Sequence, residues 1–181
     1  MKRKEIDMLN GSLVWPIMTY SIPIMLTSVL QLLFNAADLV VVGRYCGSVS
    51  VAAVGSTGAI TNLIVNLFIG LSVGAGVSVA HGIGSREDGA VRETVHTAVP
   101  LAAVSGVFLT VFGVAFSEAI LEAMSTPEDV LPLAALYMRI YFLGITFNML
   151  YNFAASMVRA AGDTESPLVI LTAAGVLNVI L

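Results

Sequence analysis

An all-α, multi-spanning membrane protein is the fold class this sequence predicts, and three observations carry the prediction. The 181 residues are 57% apolar and only 11% charged, against roughly a quarter charged in soluble domains. Mean hydropathy is +0.93. The few charges are clustered, leaving apolar stretches as long as the roughly 20 residues that cross a bilayer. Such stretches must be helical or closed barrels, because hydrocarbon offers backbone N–H and C=O groups no partner. Their length and continuous apolar character select helices.

Five spans follow in order. The first covers 13–42 and is interrupted only by Pro16, Pro23 and Asp38. The second, 51–80, carries no charge; the third covers 94–116; the fourth, 130–158, contains Arg139. The fifth covers 167–181, about 22 Å of helix, which is short for a hydrocarbon core of roughly 30 Å. It is still apolar at Leu181, so the sequence predicts a helix cut short, and the chain reads as a fragment. Residues 1–12 are expected to be a cytoplasmic N-terminal segment. Its Lys2, Arg3 and Lys4 could open a signal peptide, but the apolar run that follows far exceeds a roughly 7–15-residue signal core.

Basic residues set the orientation. Lys2, Arg3, Lys4, Arg86, Arg92 and Arg159 fall on one side, and Arg44 alone on the other. The loop with Glu118, Glu122, Glu128 and Asp129 lies on that second side and has no Lys or Arg. The positive-inside rule then places the N-terminus in the cytoplasm of a cell (inner) membrane.

Several function classes are excluded. No basic patch suits nucleic acid. One cysteine, Cys46, rules out an internal disulfide. No metal-spaced Cys/His cluster or nucleophile–base pair appears, and Gly82-Ile83-Gly84-Ser85-Arg86 lacks the Lys and preceding strand of a phosphate loop. The sequence predicts no enzyme and no cofactor.

The polar residues at membrane depth are the candidates. Asp38 sits in the outer half of span 1, where a carboxylate must be protonated, paired, solvated or ion-bound. Thr27, Gln31, Asn35 and Asp38 share one helical stripe. Pairing of Asp38 with Arg44 within the helix is poor, since they are about 120° apart around it. Pro23 removes a mid-helix hydrogen bond and bends span 1. Asn148, Asn152 and Ser156 form a stripe on span 4, and Asn178 lies on span 5. Their amide oxygens could ligate Na⁺ beside one carboxylate or hold a protonated one. Asn62 and Asn66 on span 2 read as helix–helix glue, and Gly70-x-x-x-Gly74 as a close-packing face. His81 and His96 flank the cytoplasmic loop and read as solvated. Arg139 needs a carbonyl or acidic partner that the sequence does not name.

Three stretches resemble the multidrug and toxic compound extrusion (MATE) transporters, near their prokaryotic DinF-like and NorM-like branches. These are Pro23 with Phe34-Asn35-Ala36-Ala37-Asp38 through Gly43-Arg44, then Gly82-Ile83-Gly84-Ser85-Arg86-Glu87, and Arg159 through Pro167 leading on to Asn178. The resemblance implies the N-terminal lobe of a twelve-helix transporter that exports small organic, often cationic, compounds in exchange for Na⁺ or H⁺. It implies a monovalent-cation site at Asp38, Asn152 and Asn178, with Gln31, Asn35 and Asn148 in support. It also implies bending at Pro23 when the ion binds. A further family carboxylate would fall just past Leu181. The family's frequent helix-1 Tyr is replaced here by Phe34. Such a lobe would need the lipid bilayer and the missing C-terminal remainder as partners. Two other readings stay open: a related flippase for lipid-linked precursors, for which only Arg139 could meet a pyrophosphate, and a membrane scaffold associating through its glycine faces.

Overall fold

A computed structural model describes residues 14–180, apart from the Val179 side chain. The expected cytoplasmic segment 1–12, with Lys2, Arg3 and Lys4, lies outside the described residues.

Five helices follow one another: α1 (Val14–Tyr45), α2 (Ser48–Gly84), α3 (Asp88–Ala123), α4 (Leu131–Ala160) and α5 (Glu165–Ile180). The first four are long and apolar enough to cross a membrane, and α5 is a shorter apolar helix. Each of α1 to α4 outruns its apolar stretch at one end or both. α3, for instance, begins at Asp88 and runs through Arg92 and Glu93, since helical hydrogen bonding does not stop at the edge of hydrocarbon.

The connections are short and built from helix caps. α2, α3 and α4 all end in Schellman turns, with paired reverse bonds such as Glu87 N–H to Gly82 O and Arg86 N–H to Ile83 O. The left-handed residue that each turn requires is Arg86 (φ 58°), Ser125 (φ 57°) and Gly162 (φ 89°). Asp163 then starts α5 as an N-cap. Its Oδ1 accepts the Ser166 N–H at 2.9 Å, and its Oδ2 accepts the Ser166 hydroxyl at 2.6 Å.

α2, α3 and α4 form the packed body, with the α3–α4 contact the most extensive. The α4 stripe Ala135, Met138, Phe142, Ile145, Met149, Phe153 and Met157 is buried, at the i, i+3/i+4 spacing of one helix face. It meets a stripe of mostly small residues on α3, including Ala98, Ala102, Gly106, Gly113 and Ser117. A Cβ on Gly113 would run into the Phe142 ring, and one on Gly106 would press on the Thr146 backbone. In lipid no hydrophobic force draws helices together, so such knob-and-notch fits carry the association. Thr110 adds hydrogen bonds across the same seam, donating to Phe142 O at 2.9 Å and meeting the Thr146 hydroxyl at 3.0 Å.

The expected packing face at Gly70 and Gly74 is not used this way. Neither glycine has anything within reach of an added Cβ, whereas Gly76 lies against Ser156 of α4. A Gly-x-x-x-Gly spacing marks a smooth face, and which smooth face is used depends on where the partner's bulky side chains project. Asn62 and Asn66 likewise do not join helices in this chain. Both are exposed, and Asn66 donates to the Asn62 carbonyl of its own helix at 2.7 Å.

α1 stands apart from this body. It packs mainly along α5 and only thinly on α2, and Thr27 is its one buried residue, 4% exposed.

Candidate functional site

The candidate site begins with the shape of α1. Pro23 has no N–H, so the Thr19 carbonyl loses its helical donor. The helix nevertheless continues through it to Tyr45. One turn on, the Thr27 hydroxyl donates back to the Pro23 carbonyl at 2.8 Å, a bond type that bends helices. Below the proline α1 is tied down: the Tyr20 hydroxyl donates to the Arg159 carbonyl, near the C-terminal end of α4, at 3.1 Å. Above it, the hold is steric. Gly175 of α5 is buried, and a Cβ built there would fall inside the Phe34 ring.

That contact sets the neighbourhood of Asp38. Four successive antiparallel connections make α1 and α5 run the same way. Asp38 follows Phe34 at i+4 and Asn178 follows Gly175 at i+3, so both stand about one turn beyond the ring-in-notch contact, on its own faces. Asp38 is exposed, and no hydrogen bond or ion pair holds it among the described residues. Arg44 is therefore not its partner.

Asn152 donates to Asn148 of the same helix, to its carbonyl at 2.9 Å and its Oδ1 at 2.8 Å. Asn178 is exposed on α5, the helix that packs along α1. Asp38, Asn152 and Asn178 make no hydrogen bond to one another among the described residues. Gln31 and Asn35 are exposed on α1, within the two turns that precede Asp38.

Sequence reasoning missed Tyr20 and Gly175. Their roles depend on a neighbouring helix, and no periodicity within one helix reports that.

This arrangement can do one kind of chemistry. An unpaired carboxylate on one helix and an amide about one turn beyond the same helix contact are groups that can exchange a proton or bind a small cation. Among the described residues no group of three or more His, Cys, Asp or Glu could hold a metal ion of the multivalent kind.

Comparison with known proteins fixes the family. The MatE family model matches residues 23–181. The chain belongs to the MATE family. Over 98% of its length it is 31% identical to "Probable multidrug resistance protein YpnP" of Bacillus subtilis, covering 40% of that protein. Among solved structures it is similar to a MATE in the bent conformation, 26% identical with a TM-score of 0.90. It is as similar to a MATE in the straight conformation, 26% identical with a TM-score of 0.89. In both cases all of this chain is covered, and 40% of the other. The chain spans about 40% of the length of these relatives, and its five helices form an N-terminal lobe of the MATE fold.

Proposed function

We propose that this chain is the ion-coupling lobe of a secondary active exporter. In this reading the whole transporter moves small organic, often cationic, compounds out of the cell in exchange for Na⁺ or H⁺. The lobe would sit in the cell (inner) membrane with its N-terminus in the cytoplasm. The single observation that carries the reading is Asp38: an exposed carboxylate on an apolar helix interrupted at Pro23, with no hydrogen bond or ion pair among the described residues. An unpaired carboxylate is costly there unless a proton or cation visits it. Occupancy can drive transport only by favouring one α1 shape over another, so ion and shape must be linked through α1. Asn178 supplies a neutral oxygen to the same ion, while Asn152 and Asn148 line the path on its cytoplasmic side. Membership of a family with multidrug resistance proteins supports the substrate class.

The flippase reading loses support from Arg139, whose guanidinium is engaged by Ser117 and Glu118 of α3. The test is efflux of a fluorescent organic cation from vesicles carrying the whole transporter, under an imposed Na⁺ or pH gradient. Asp38→Asn is expected to abolish gradient-driven efflux with expression unchanged. Full ion-coupled efflux by that variant would overturn the reading.

A further inference from the structure

The α1–α5 seam carries a feature that the coupling carboxylate alone does not explain. Along the face of α5 that meets α1, Gly175 is the only glycine, and one turn below it Leu171 and Thr172 present side chains. The Phe34 ring occupies the space where any Cβ at 175 would stand. Sliding or tilting the outer half of α1 must lift the ring out of this notch, and no second notch lies one turn below. A close-packed contact of this kind is occupied or vacated and does not deform gradually.

The rest of α1 is arranged around that contact. Its inner part is fastened by the Tyr20 hydrogen bond to Arg159 O. Pro23 weakens the helix just above, and Thr27 is buried one turn further on. Beyond Thr27 the polar stripe Gln31, Asn35 and Asp38 is exposed, and Phe34 is the ring that seats this half on α5. Phe34 and Asp38 lie four residues apart on one face, as Gly175 and Asn178 lie three apart on another. Ring and carboxylate therefore move as one body.

We propose that Phe34 seated in the Gly175 notch is the register lock of α1, the contact that positions Asp38 against Asn178 and that must open when the outer half of α1 moves. Neither residue touches the ion; both act through the spacing they impose. The role of the lock in transport rests on the ion-coupling reading above, but the lock itself is testable without it.

The experiment uses the whole chain in lipid nanodiscs. The native Cys46 is exposed just beyond the outer end of α1, so one spin label goes there. The second goes on Glu128→Cys, in the outer loop between α3 and α4. Pulsed dipolar spectroscopy then reads the position of the outer half of α1 against the packed body. With Gly175→Ala the added methyl takes the ring's place. The seated distance should lose population about tenfold relative to displaced ones, the scale expected for overpacking a fitted contact. Adding Phe34→Leu to Gly175→Ala should restore the seated distance. Phe34→Ala cannot clash, so it tests the lock even where Gly175→Ala fails to fold, and it should broaden the distribution. An unchanged distribution in either single variant overturns the lock. If the variants shift the distribution but Na⁺, pH and Asp38→Asn do not, the lock stands and the ion-coupling reading fails.

Discussion

Arg139 of α4 is tied to Glu118 of α3 by an Nη2–Oε2 hydrogen-bonded ion pair of 2.9 Å. Its Nε also donates to the buried Ser117 hydroxyl at 3.1 Å. The two helices are antiparallel neighbours, and both charges lie toward the ends joined by the α3–α4 connection, where a long side chain can reach the interface. The pair therefore closes that end of the α3–α4 seam, which Thr110 and Thr146 bridge further in.

The strength of that closure follows from exposure. The side chains are 44% and 56% exposed, so the pair belongs with exposed ion pairs worth at most about 1 kcal/mol. Glu118→Gln should lower stability by no more than that in reversible unfolding from mixed micelles. Arg139→Leu should cost more than Glu118→Gln, because it also strips the buried Ser117 hydroxyl of a donor. A larger loss for Glu118→Gln than for Arg139→Leu would contradict this division.

The glycines give a sharper contrast. Gly113→Ala places a methyl in the Phe142 ring, at the centre of the buried core, and should destabilise the chain by about 2 kcal/mol. Gly70→Ala and Gly74→Ala meet open space and should be neutral, or gain up to about 1 kcal/mol from helix propensity. The same unfolding titration on the three variants checks the order. Equal losses at 70 and 113 would show that the Gly-x-x-x-Gly face is in use after all.

That contrast also marks how far the sequence could be read. The five helices were legible, because apolar length and clustered charge leave few alternatives in a bilayer. Asp38 and Pro23 stand out in the sequence as well, as groups that are costly within an apolar helix. What a residue faces was not. Gly70 and Gly113 look alike in sequence, and only the position of Phe142 on a partner helix separates them. Asn152 matched a family position by spacing, and its bond to Asn148 of its own helix needed the side chains to be placed. Glu118 as the partner of Arg139 needed the α3–α4 pairing, although both charges near one membrane face offered a hint. Helix ends are a different quantity from span ends: hydropathy reports where lipid ends, and helices continue past it to their caps.

Those caps carry strain in two of three cases. Ser125 sits in the left-handed region at φ 57°, where a side chain costs roughly 1–2 kcal/mol that glycine avoids in the folded state. Glycine's extra freedom in the unfolded chain offsets part of this. Ser125→Gly should therefore raise stability by about 0.5–1 kcal/mol, and Gly162→Ala, at φ 89°, should lower it by a similar amount or more. Both are read as shifts in the unfolding midpoint. A loss of stability in Ser125→Gly would mean that the serine side chain contributes something its backbone conformation does not reveal.

Orientation can be tested with a residue the chain already has. Cys46 is its single cysteine, exposed in the short turn between α1 and α2. Six basic residues on the opposite side predict that this turn faces away from the cytoplasm. A membrane-impermeant maleimide should then label Cys46 rapidly in spheroplasts and leave it untouched in sealed inverted vesicles. In a Cys46→Ser background, Ser85→Cys in the α2–α3 turn should show the reverse pattern. Because α1 and α5 run in parallel, the same result would also set the direction of the α1–α5 seam, with the proposed ion site at Asp38 on the outer side of Pro23. Labelling of Cys46 from the cytoplasmic face alone would invert the lobe and place the Tyr20–Arg159 anchor on the outside.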